Sequence, residues 1–295
     1  MELRVLQYFL AIAREQSISG AADYLHISQP TLSRQIKDME EELGKQLFIR
    51  GSRKITLTEE GMILRKRAEE ILGLVKKTED EIALSADISE GDIYIGAGET
   101  HAVQYLAQGA RQLQASYPNI RFHIASGDTT DVLEELDKGL LDFGLLFGFV
   151  DTSKYEHLEF PVKDTYGILM RKDSTLAKKD IITAEDLWDQ PLICNRNATR
   201  HENEIFKWLK KGHTEVQLTA TYNLLYNAAI LVEAGIGYAF ALDKIANVSP
   251  DSPLCFKPLY PCLEARMYLI WKKYQILSKP AEKYLTTMQT LLSSE

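Results

Sequence analysis

Residues 17–43 read SISGAADYLHISQPTLSRQIKDMEEEL, a stretch that predicts two short helices joined by a tight turn. The second helix is expected to begin after Ser28, whose hydroxyl can cap it, with Pro30 in its first turn, where a missing N–H costs nothing. Apolar residues recur along one face of this helix at three- and four-residue steps: Leu32, Ile36, Met39 and Leu43. The arrangement predicts a helix-turn-helix, which presents the N-terminal half of its second helix to the major groove of DNA.

The other face of the second helix supplies the candidate DNA contacts. It carries short polar side chains and two cations: Ser28, Gln29, Pro30, Thr31, Ser33, Arg34 and Lys37. We expect Gln29, Ser33 and Arg34 to contact base edges and Lys37 to bind a phosphate. The alternative is an ordinary amphipathic helix pair with a solvated polar face, since a short motif is a hypothesis until its context agrees.

Residues 45–57 read KQLFIRGSRKITL and alternate as two short strands around a turn would. We expect this hairpin to be the wing that completes a DNA-binding domain over residues 1–58. An arginine at the hairpin tip is placed to enter the minor groove, whose negative potential attracts arginine where the groove is narrow. The expected contacts, each with a solvated turn cation as its alternative, are Arg53 in the minor groove and Arg50 and Lys54 on phosphates.

Four short motifs follow one another along the first 61 residues: Ala21-Ala22-x-x-Leu25-x-Ile27-Ser28-Gln29-Pro30-x-Leu32-Ser33-Arg34-Gln35-Ile36, Glu42-Leu43-Gly44, Leu47-Phe48 and Thr56-x-Thr58-x-x-Gly61. Together they resemble the LysR-type transcriptional regulators of bacteria. The match is dense over these residues and is one of length and layout over the rest. The resemblance implies a multi-domain fold, with an N-terminal all-α winged helix-turn-helix and linker helix before a C-terminal α/β two-lobed periplasmic-binding-protein-like domain.

The resemblance also implies the partners. These are a double-stranded DNA operator, a small-molecule effector and a second copy of the chain in a homodimer or homotetramer, with RNA polymerase as a further candidate. The residues themselves show no HExxH, GxSxG or Walker sequence, and the six histidines have no metal-ligand spacing. We therefore expect a regulator that is not an enzyme and has no cofactor and no metal.

Length, composition and charge agree with this interpretation. A chain of 295 residues is longer than a single hydrophobic core usually supports, so we expect two or three domains. The sequence shows neither a leader pattern nor a run near the ~18 apolar residues of a membrane span, so we expect a cytoplasmic protein. The net charge is −8, but residues 1–58 hold eight cations and seven anions, so the negative excess lies after them. A basic edge on a nearly neutral domain is compatible with DNA binding.

A long helix is expected after the hairpin. Thr58 can cap it, and the negative charges of Glu59 and Glu60 in its first turn are stabilised by the positive end of the helix dipole. A narrow apolar seam follows at three- and four-residue steps: Leu64, Ala68, Ile71, Leu72, Val75, Thr78 and Ile82. A narrow seam favours pairing with a second helix, so we expect residues 59–87 to be a dimerisation linker. Packing on the chain's own sensor domain is the alternative.

Beyond a linker at 87–91, strand and helix patterns alternate, which predicts a parallel sheet covered by helices. We assign residues 88–295 to an effector-binding domain that crosses between two lobes near 160–163 and near 264–267. The expected lobes are lobe I, residues 88–161 and 266–295, and lobe II, residues 162–265. Two crossings would make a hinged clamp, as the resemblance also implies.

Candidate effector contacts lie where these strands end, because open α/β sheets bind ligands there and helix N-termini offer free N–H groups. They are Gly98, Thr100, His101, Asp128, Thr129, Phe147, Asn195, Arg196, Tyr222 and Asn223. By resemblance, Thr100 is the main effector contact, with simple N-capping as its alternative, and the neighbouring Glu99 argues against a plain anion site. Arg196 is the one cation suited to gripping a carboxylate, so we expect a polar metabolite that carries one.

Two other functions stay open at this point. By resemblance, some relatives sense peroxide through a cysteine pair in lobe II, and Cys255 and Cys262 could act in that way. The sequence shows no cluster of cations near either cysteine that would lower the pKa of its thiol. The second alternative is a solute-binding α/β protein that does not bind DNA and has an incidental helical N-terminus. The motif in residues 17–61 favours the regulator over both.

Overall fold

The computed structural model describes residues 1–51, 54–83, 90–148, 150–199, 204–211 and 215–293. Within these ranges it does not describe the side chains of Arg50, Asp80, Glu81, Ala83 and Thr199. The chain divides into two compact units, Met1–Ala83 and Leu84–Glu295, which are described separately below. The predicted linker at 87–91 and the predicted end of the helix at 87 lie largely outside the described residues.

The first unit is a winged helix-turn-helix followed by a long helix. Its helices are α1 (Leu3–Glu15), α2 (Ile18–Leu25), α3 (Gln29–Leu43) and α4 (Glu59–Ala83), and its antiparallel hairpin is β1 (Phe48–Arg50) and β2 (Ile55–Leu57). Both helices of the turn motif begin on a serine: Ser17 Oγ accepts from the N–H of Gly20 (3.2 Å), and Ser28 Oγ from that of Thr31 (3.3 Å). The predicted cap at Ser28 is therefore confirmed.

The core of the first unit is built where the pattern predicted it, with one exception. Phe9, Ala21, Leu32 and Ile36 are almost fully buried in one cluster. Leu43, predicted on the buried face of α3, is 42% exposed. It is the last residue of α3, and the chain turns away immediately afterwards at a glycine in the left-handed region.

The second unit contains one mixed sheet. Its strands are β3 (Glu90–Ala97), β4 (Asn119–Ser126), β5 (Phe143–Phe147), β6 (Tyr155–Arg171), β7 (Leu192–Asn195), β8 (Leu218–Tyr222), β9 (Tyr238–Leu242), β10 (Leu254–Pro258) and β11 (Glu264–Lys272), in the order β4-β3-β5-β11-β6-β9-β7-β8, with β10 beside β6. Its helices are α5 (Val103–Ser116), α6 (Thr129–Asp137), α7 (Glu204–Leu209), α8 (Leu225–Glu233) and α9 (Lys279–Ser293), and short 3₁₀ turns cover Thr175–Lys178, Ala184–Leu187 and Arg196–Thr199. The multi-domain fold class predicted from the sequence is confirmed.

Parallel pairing is confined to the two ends of this sheet. Strand β3 pairs in parallel with β4 and β5 at one end, and β7 pairs in parallel with β8 and β9 at the other. We call the first end, with α5, α6 and α9, lobe I, and the second, with α7, α8 and β10, lobe II. Separate apolar clusters fill the two lobes.

The strand β6 joins the lobes and differs from the expected crossing. Along one edge it pairs with β11 from Tyr155 to Thr165 and with β10 from Gly167 to Arg171, and along the other edge with β9 from Tyr166 to Leu169, so its partners change between Thr165 and Gly167 rather than near 160–163. The first half of β6 and all of β10 were absent from the sequence-based expectation. Between the joining strand β6 and the lobe II strand β7, Ala184–Leu187 forms a single 3₁₀ turn.

A close approach explains why a glycine occupies position 61 at the start of α4. A Cβ atom built there would lie 2.1 Å from the carbonyl oxygen of Leu47, which accepts the N–H of Thr58 (3.0 Å). We predict that Gly61→Ala destabilises the first unit by about 1–3 kcal/mol, because the hairpin must move away from the helix. Far-UV circular dichroism during urea unfolding should show the loss, since the three tryptophans, Trp188, Trp208 and Trp271, all lie in the second unit.

Gly20 provides the matched control. It lies inside α2, and a Cβ atom there would meet nothing closer than 3.5 Å. Gly20→Ala should therefore stabilise the same unit by about 0.4–1 kcal/mol, mainly by restricting the unfolded chain. If both alanine variants unfold at the same urea concentration, the proposed clash at Gly61 is wrong.

Candidate DNA-binding face and effector cleft

The outer face of α3 presents the predicted DNA contacts to solvent. Gln29, Thr31, Arg34 and Lys37 are exposed, and Ser33 is half-buried. The side chain of Arg34 is 82% exposed and lies 3.8 Å from Asp38, and the Nζ of Lys37 lies 3.3 Å from a carboxylate oxygen of Glu41. Exposed pairs of this kind are weak, so both cations are able to exchange these partners for phosphate or base atoms.

The start of α3 is used for capping rather than left open. The hydroxyl groups of Ser28 and Thr31 are 2.7 Å apart, and Pro30 occupies the first turn, where it is exposed. At the hairpin, Lys54 is exposed, whereas Arg53 lies outside the described residues and the side chain of Arg50 is not described. The structure therefore describes eight of the ten predicted contacts, namely the seven on α3 and its cap and Lys54 at the hairpin, and Ser28 and Thr31 are already bonded to each other.

A carboxylate that the sequence analysis did not identify joins the recognition helix to the hairpin. Oε1 of Glu40, on α3, accepts the backbone N–H groups of Leu47 (2.7 Å) and Phe48 (3.3 Å). On the other side of the hairpin, the N–H of Ile55 donates to the carbonyl of Gln16 (2.9 Å). Hydrogen bonds from α3 and from the end of α1 therefore fix the hairpin relative to the helix that contacts DNA.

The apolar seam of α4 divides into two parts. The first part packs against the core of the same unit: Leu64, Ala68, Ile71 and Leu72. Farther along the seam, Val75 is half-buried, Thr78 is exposed and Ile82 is 79% exposed. Intramolecular packing thus accounts for the first half of the seam, and the second half is the part left for another helix.

A cavity of about 90 Å³ lies between the lobes at the carboxyl ends of the strands. The structure brings seven of the ten predicted effector residues to its wall: Gly98, Asp128, Thr129, Phe147, Asn195, Tyr222 and Asn223. Thr100, His101 and Arg196 are not among the described residues that line it. Other lining residues were not predicted as contacts, including Tyr166 and Leu225, because nothing in their local sequence marks them as such.

Thr100 is buried behind the cavity wall and bonded to an acid. Its hydroxyl donates to Oδ2 of Asp164 (2.5 Å), a carboxylate on β6 that is almost fully buried and also accepts the N–H of His101 (3.3 Å). Burial raises the pKa of Asp164; the hydrogen bond from Thr100 opposes the rise and the nearby Asp243 adds to it. His101 itself is exposed. The expectation that Thr100 is the main effector contact therefore has no support in this geometry.

Arg196 is held by two carboxylates of the opposite lobe. Its Nε donates to Asp128, and its Nη2 donates to Asp131 (2.5 Å). Burial alone would raise the pKa of Asp128, but hydrogen bonds from Arg196, Asn197 and the backbone of α6 outweigh burial and lower it. Asp128 also caps α6 by accepting the N–H groups of its first turn. Arg196 joins the lobes, and the expected grip on a ligand carboxylate would require it to give up these partners.

A second contact joins the lobes across the cavity. The carboxylate of Glu99, which follows β3 in lobe I, accepts through Oε2 the backbone N–H of Leu225, the first residue of α8 in lobe II. A helix N-terminus carries free N–H groups and partial positive charge, which favour an anion there. In this structure, the protein's own carboxylate occupies that position.

Within the described residues, no group of three or more His, Cys, Asp or Glu side chains is placed to hold a metal ion, and no helix is long and apolar enough to cross a membrane. Cys194 is buried, Cys255 is half-buried and Cys262 is exposed. Burial raises the pKa of the Cys255 thiol, with Lys257 and Lys172 opposing the rise. This environment disfavours the thiolate that a peroxide-reactive cysteine needs.

A winged helix-turn-helix followed by a two-lobed α/β domain with a cleft defines a DNA-binding regulator that responds to a ligand. Two family models match the chain: "Bacterial regulatory helix-turn-helix protein, lysR family" over residues 3–62 and "LysR substrate binding domain" over residues 86–293. The chain therefore belongs to the family of LysR-type transcriptional regulators.

Individual relatives agree with this assignment. The chain is 28% identical to the uncharacterized HTH-type transcriptional regulator YbhD of Escherichia coli (strain K12), over 100% of this chain and 93% of that protein. It is 30% identical to the hydrogen peroxide-inducible genes activator of Pectobacterium carotovorum subsp. carotovorum, over 88% of this chain and 86% of that one. The fold matches that of full-length CbnR in complex with its target DNA, with a TM-score of 0.73 at 20% identity, over 99% of this chain and 100% of CbnR.

The raised pKa of Asp164 predicts how stability depends on pH. In the unfolded chain, Asp164 has an ordinary aspartate pKa of ~3.9 and loses its proton at a lower pH than it does when buried in the folded chain. The free energy of unfolding therefore falls as the pH rises from this value through the pKa of Asp164 in the folded chain. Asp164→Asn keeps an acceptor for Thr100 and removes this penalty. The variant should gain in Tm over the parent at pH 7.5, and gain less at pH 4.5.

Tryptophan fluorescence during heating of the full chain measures the Tm of parent and variant at each pH. The difference in Tm reports on Asp164, because the other titrating groups contribute equally to parent and variant. Asp164→Ala is the control, since it removes the charge but leaves the Thr100 hydroxyl without an acceptor, and it should be less stable than Asp164→Asn at both pH values. A gain for Asp164→Asn that is equal at both pH values would contradict a raised pKa.

Proposed function

We propose that this chain binds an interrupted palindromic operator as a dimer or tetramer, and that a small polar metabolite in the cleft changes how the operator is held. The observation that carries the proposal is the exposed outer face of α3, with Gln29, Arg34 and Lys37 on a helix fixed at both ends. The division into a DNA-binding domain over 1–58, a linker over 59–87 and an effector domain over 88–295 is part of the proposal. A regulator of this kind works where the chromosome is, in the cytoplasm.

We assign the contacts by their position on the face. Gln29, Ser33 and Arg34 lie in the first half of α3, which enters the major groove, and are proposed to contact bases. Lys37, one turn farther along, and the hairpin cations are proposed to hold phosphates: Arg50 and Lys54, with Arg53 in the minor groove. RNA polymerase is a further candidate partner of the bound dimer.

Two alanine variants test the assignment. Arg34→Ala should cost about 1–3 kcal/mol on the preferred operator and relax the preference at one base pair, because a base contact carries sequence information. Lys37→Ala should weaken binding to all sequences alike and reduce the slope of log K against log salt by about one unit. Lys76→Ala, the same change of charge on α4, is the control. Fluorescence anisotropy with DNA from the intergenic region beside the gene gives these constants, and unchanged operator discrimination by Arg34→Ala would refute the base contact.

The exposed second half of α4 is proposed to pair with the same helix of a second chain. Ile82→Glu should therefore convert the dimer to a monomer and, with it, abolish tight operator binding, because one half-site alone is held too weakly. The sequence offers Ile71→Glu as an equal test, but Ile71 packs against its own unit, and a charge there would disturb the DNA-binding core itself. Ile82→Leu is the conservative control. Sedimentation velocity measures the outcome, and a monomeric Ile82→Glu that still binds the full operator tightly contradicts the proposal.

The effector is proposed to be small and polar. The cavity wall offers neutral hydrogen-bonding groups from both lobes: Thr129, Asn195, Asn197, Tyr222 and Asn223. The carboxylate expected on the ligand depended on Arg196, which Asp128 and Asp131 already bind. The proposed effector is therefore a small polar metabolite for which no carboxylate is required.

The redox alternative has little support in this chain. One relative carries the name of a hydrogen peroxide-inducible genes activator, but burial raises the pKa of the Cys255 thiol here. The second alternative, a solute-binding protein that does not bind DNA, is wrong, because residues 3–62 match the regulatory helix-turn-helix of the family.

A further inference from the structure

Among the residues that the structure describes, those of the cleft carry an excess of negative charge. Glu99 and Asp128 both line the cavity, and none of the described lining residues is a lysine or an arginine. The nearby Arg196 is shared between Asp128 and Asp131, so this group of three retains a net negative charge. A ligand that enters the cavity therefore meets carboxylates whose charge is only partly compensated.

Glu99 is placed to exclude anions and to accept a cation. Its Oε2 occupies the N-terminus of α8, the position in lobe II where an anionic ligand group would find free N–H donors. Its Oε1 accepts no hydrogen bond within the part of the chain that the structure describes. An anion would have to displace Glu99 and remain beside it, whereas a cation can bind Oε1 and leave the contact with Leu225 intact.

Aromatic side chains complete the wall. Phe147 belongs to lobe I, Tyr166 to the joining strand, and Tyr222 and Phe240 to lobe II. The hydroxyl of Tyr222 donates to the carbonyl of Phe240 (2.6 Å), so the polar end of that phenol is already occupied. Aromatic rings attract organic cations through their negative faces, and most strongly where water is excluded.

The size of the cavity limits the ligand. Its volume of about 90 Å³ is well below the roughly 300–1,000 Å³ of pockets that hold drug-sized molecules. With the lobes in this arrangement, the cavity has room for only a few heavy atoms. A short carbon chain that ends in one charged group satisfies this limit.

We infer that the cleft binds a small organic cation, an ammonium or amidinium group on a short carbon chain, and that Glu99 determines this specificity as its counter-ion. The inference rests on the proposed function, in which this cavity is the effector site. It assigns a positive charge to the small polar metabolite of that proposal.

Three probes of nearly equal size, whose planar end groups differ in charge, test the inference: propionamidinium, propionamide and propionate. Calorimetric titration of the full chain at fixed ionic strength should give a dissociation constant at least tenfold lower for propionamidinium than for propionate. In Glu99→Gln this preference should fall at least tenfold. Glu233→Gln is the matched control, because Glu233 lies on α8 and lines the groove that Glu99 also borders, but is not among the described residues that line the cavity. It should keep the preference.

The outcomes separate the inference from the proposed function when operator binding is measured with the same probes. The inferred cation specificity is overturned if propionate binds at least as tightly as propionamidinium, or if the preference for propionamidinium survives Glu99→Gln. In either case the cleft remains an effector site if the probe that binds it also changes operator affinity. A preference lost in Glu233→Gln and kept in Glu99→Gln assigns the cation to the outer groove and overturns the inference. Absence of binding by all three probes at 100 mM overturns the inference, and the proposed function then stands or falls on operator binding alone.

Discussion

Both lobes of the second unit depend on one strand, β6, because its backbone hydrogen bonds belong to both. Along one edge it pairs with β11 up to Thr165 and with β10 from Gly167 onward, and along the other edge it pairs with β9 from Tyr166 to Leu169. A displacement of one lobe relative to the other must therefore be absorbed where the partners change. Polar contacts concentrate at that point: Asp164 accepts from Thr100, and the backbone and side chain of Asp243 bond the backbone of Thr165. The buried acid Asp164 therefore lies at the point where the two lobes join.

The cavity is small because the groups at the ends of the strands bond to one another. Open α/β sheets usually leave these ends to a ligand. Here Arg196 bridges to lobe I through two aspartates, and Glu99 bridges to lobe II through the first N–H of α8. A ligand that binds the cleft has to fit beside these contacts or replace them, so its affinity depends on what it offers in exchange. The side chains that join the lobes thus act as internal competitors, and they set the chemistry of any occupant.

Local features were predictable from the sequence, and long-range pairings were not. The cap at Ser28, the hairpin around Gly51 and the Thr58 cap of α4 follow from neighbouring residues, and all three are present. Seven of the ten predicted effector residues line the cavity, because strand ends are recognisable. Arg196 and Thr100 differ, because their partners lie more than sixty residues away and no local pattern records such pairs. The first half of β6 was missed because its polar and apolar residues do not form a long buried run, and Pro161 interrupts it.

The two hydrogen bonds from Glu40 to the start of the hairpin have a consequence for the DNA rather than for the protein. Because they tie the hairpin to α3, the helix proposed for the major groove and the wing proposed for the adjacent minor groove would keep a fixed separation. A DNA segment must adopt the matching groove width to meet both, and the energy of that deformation depends on base steps that no side chain touches. On the proposed docking, the operator would be selected partly by the stiffness and shape of its uncontacted base pairs, which a comparison of contacted positions alone would overlook.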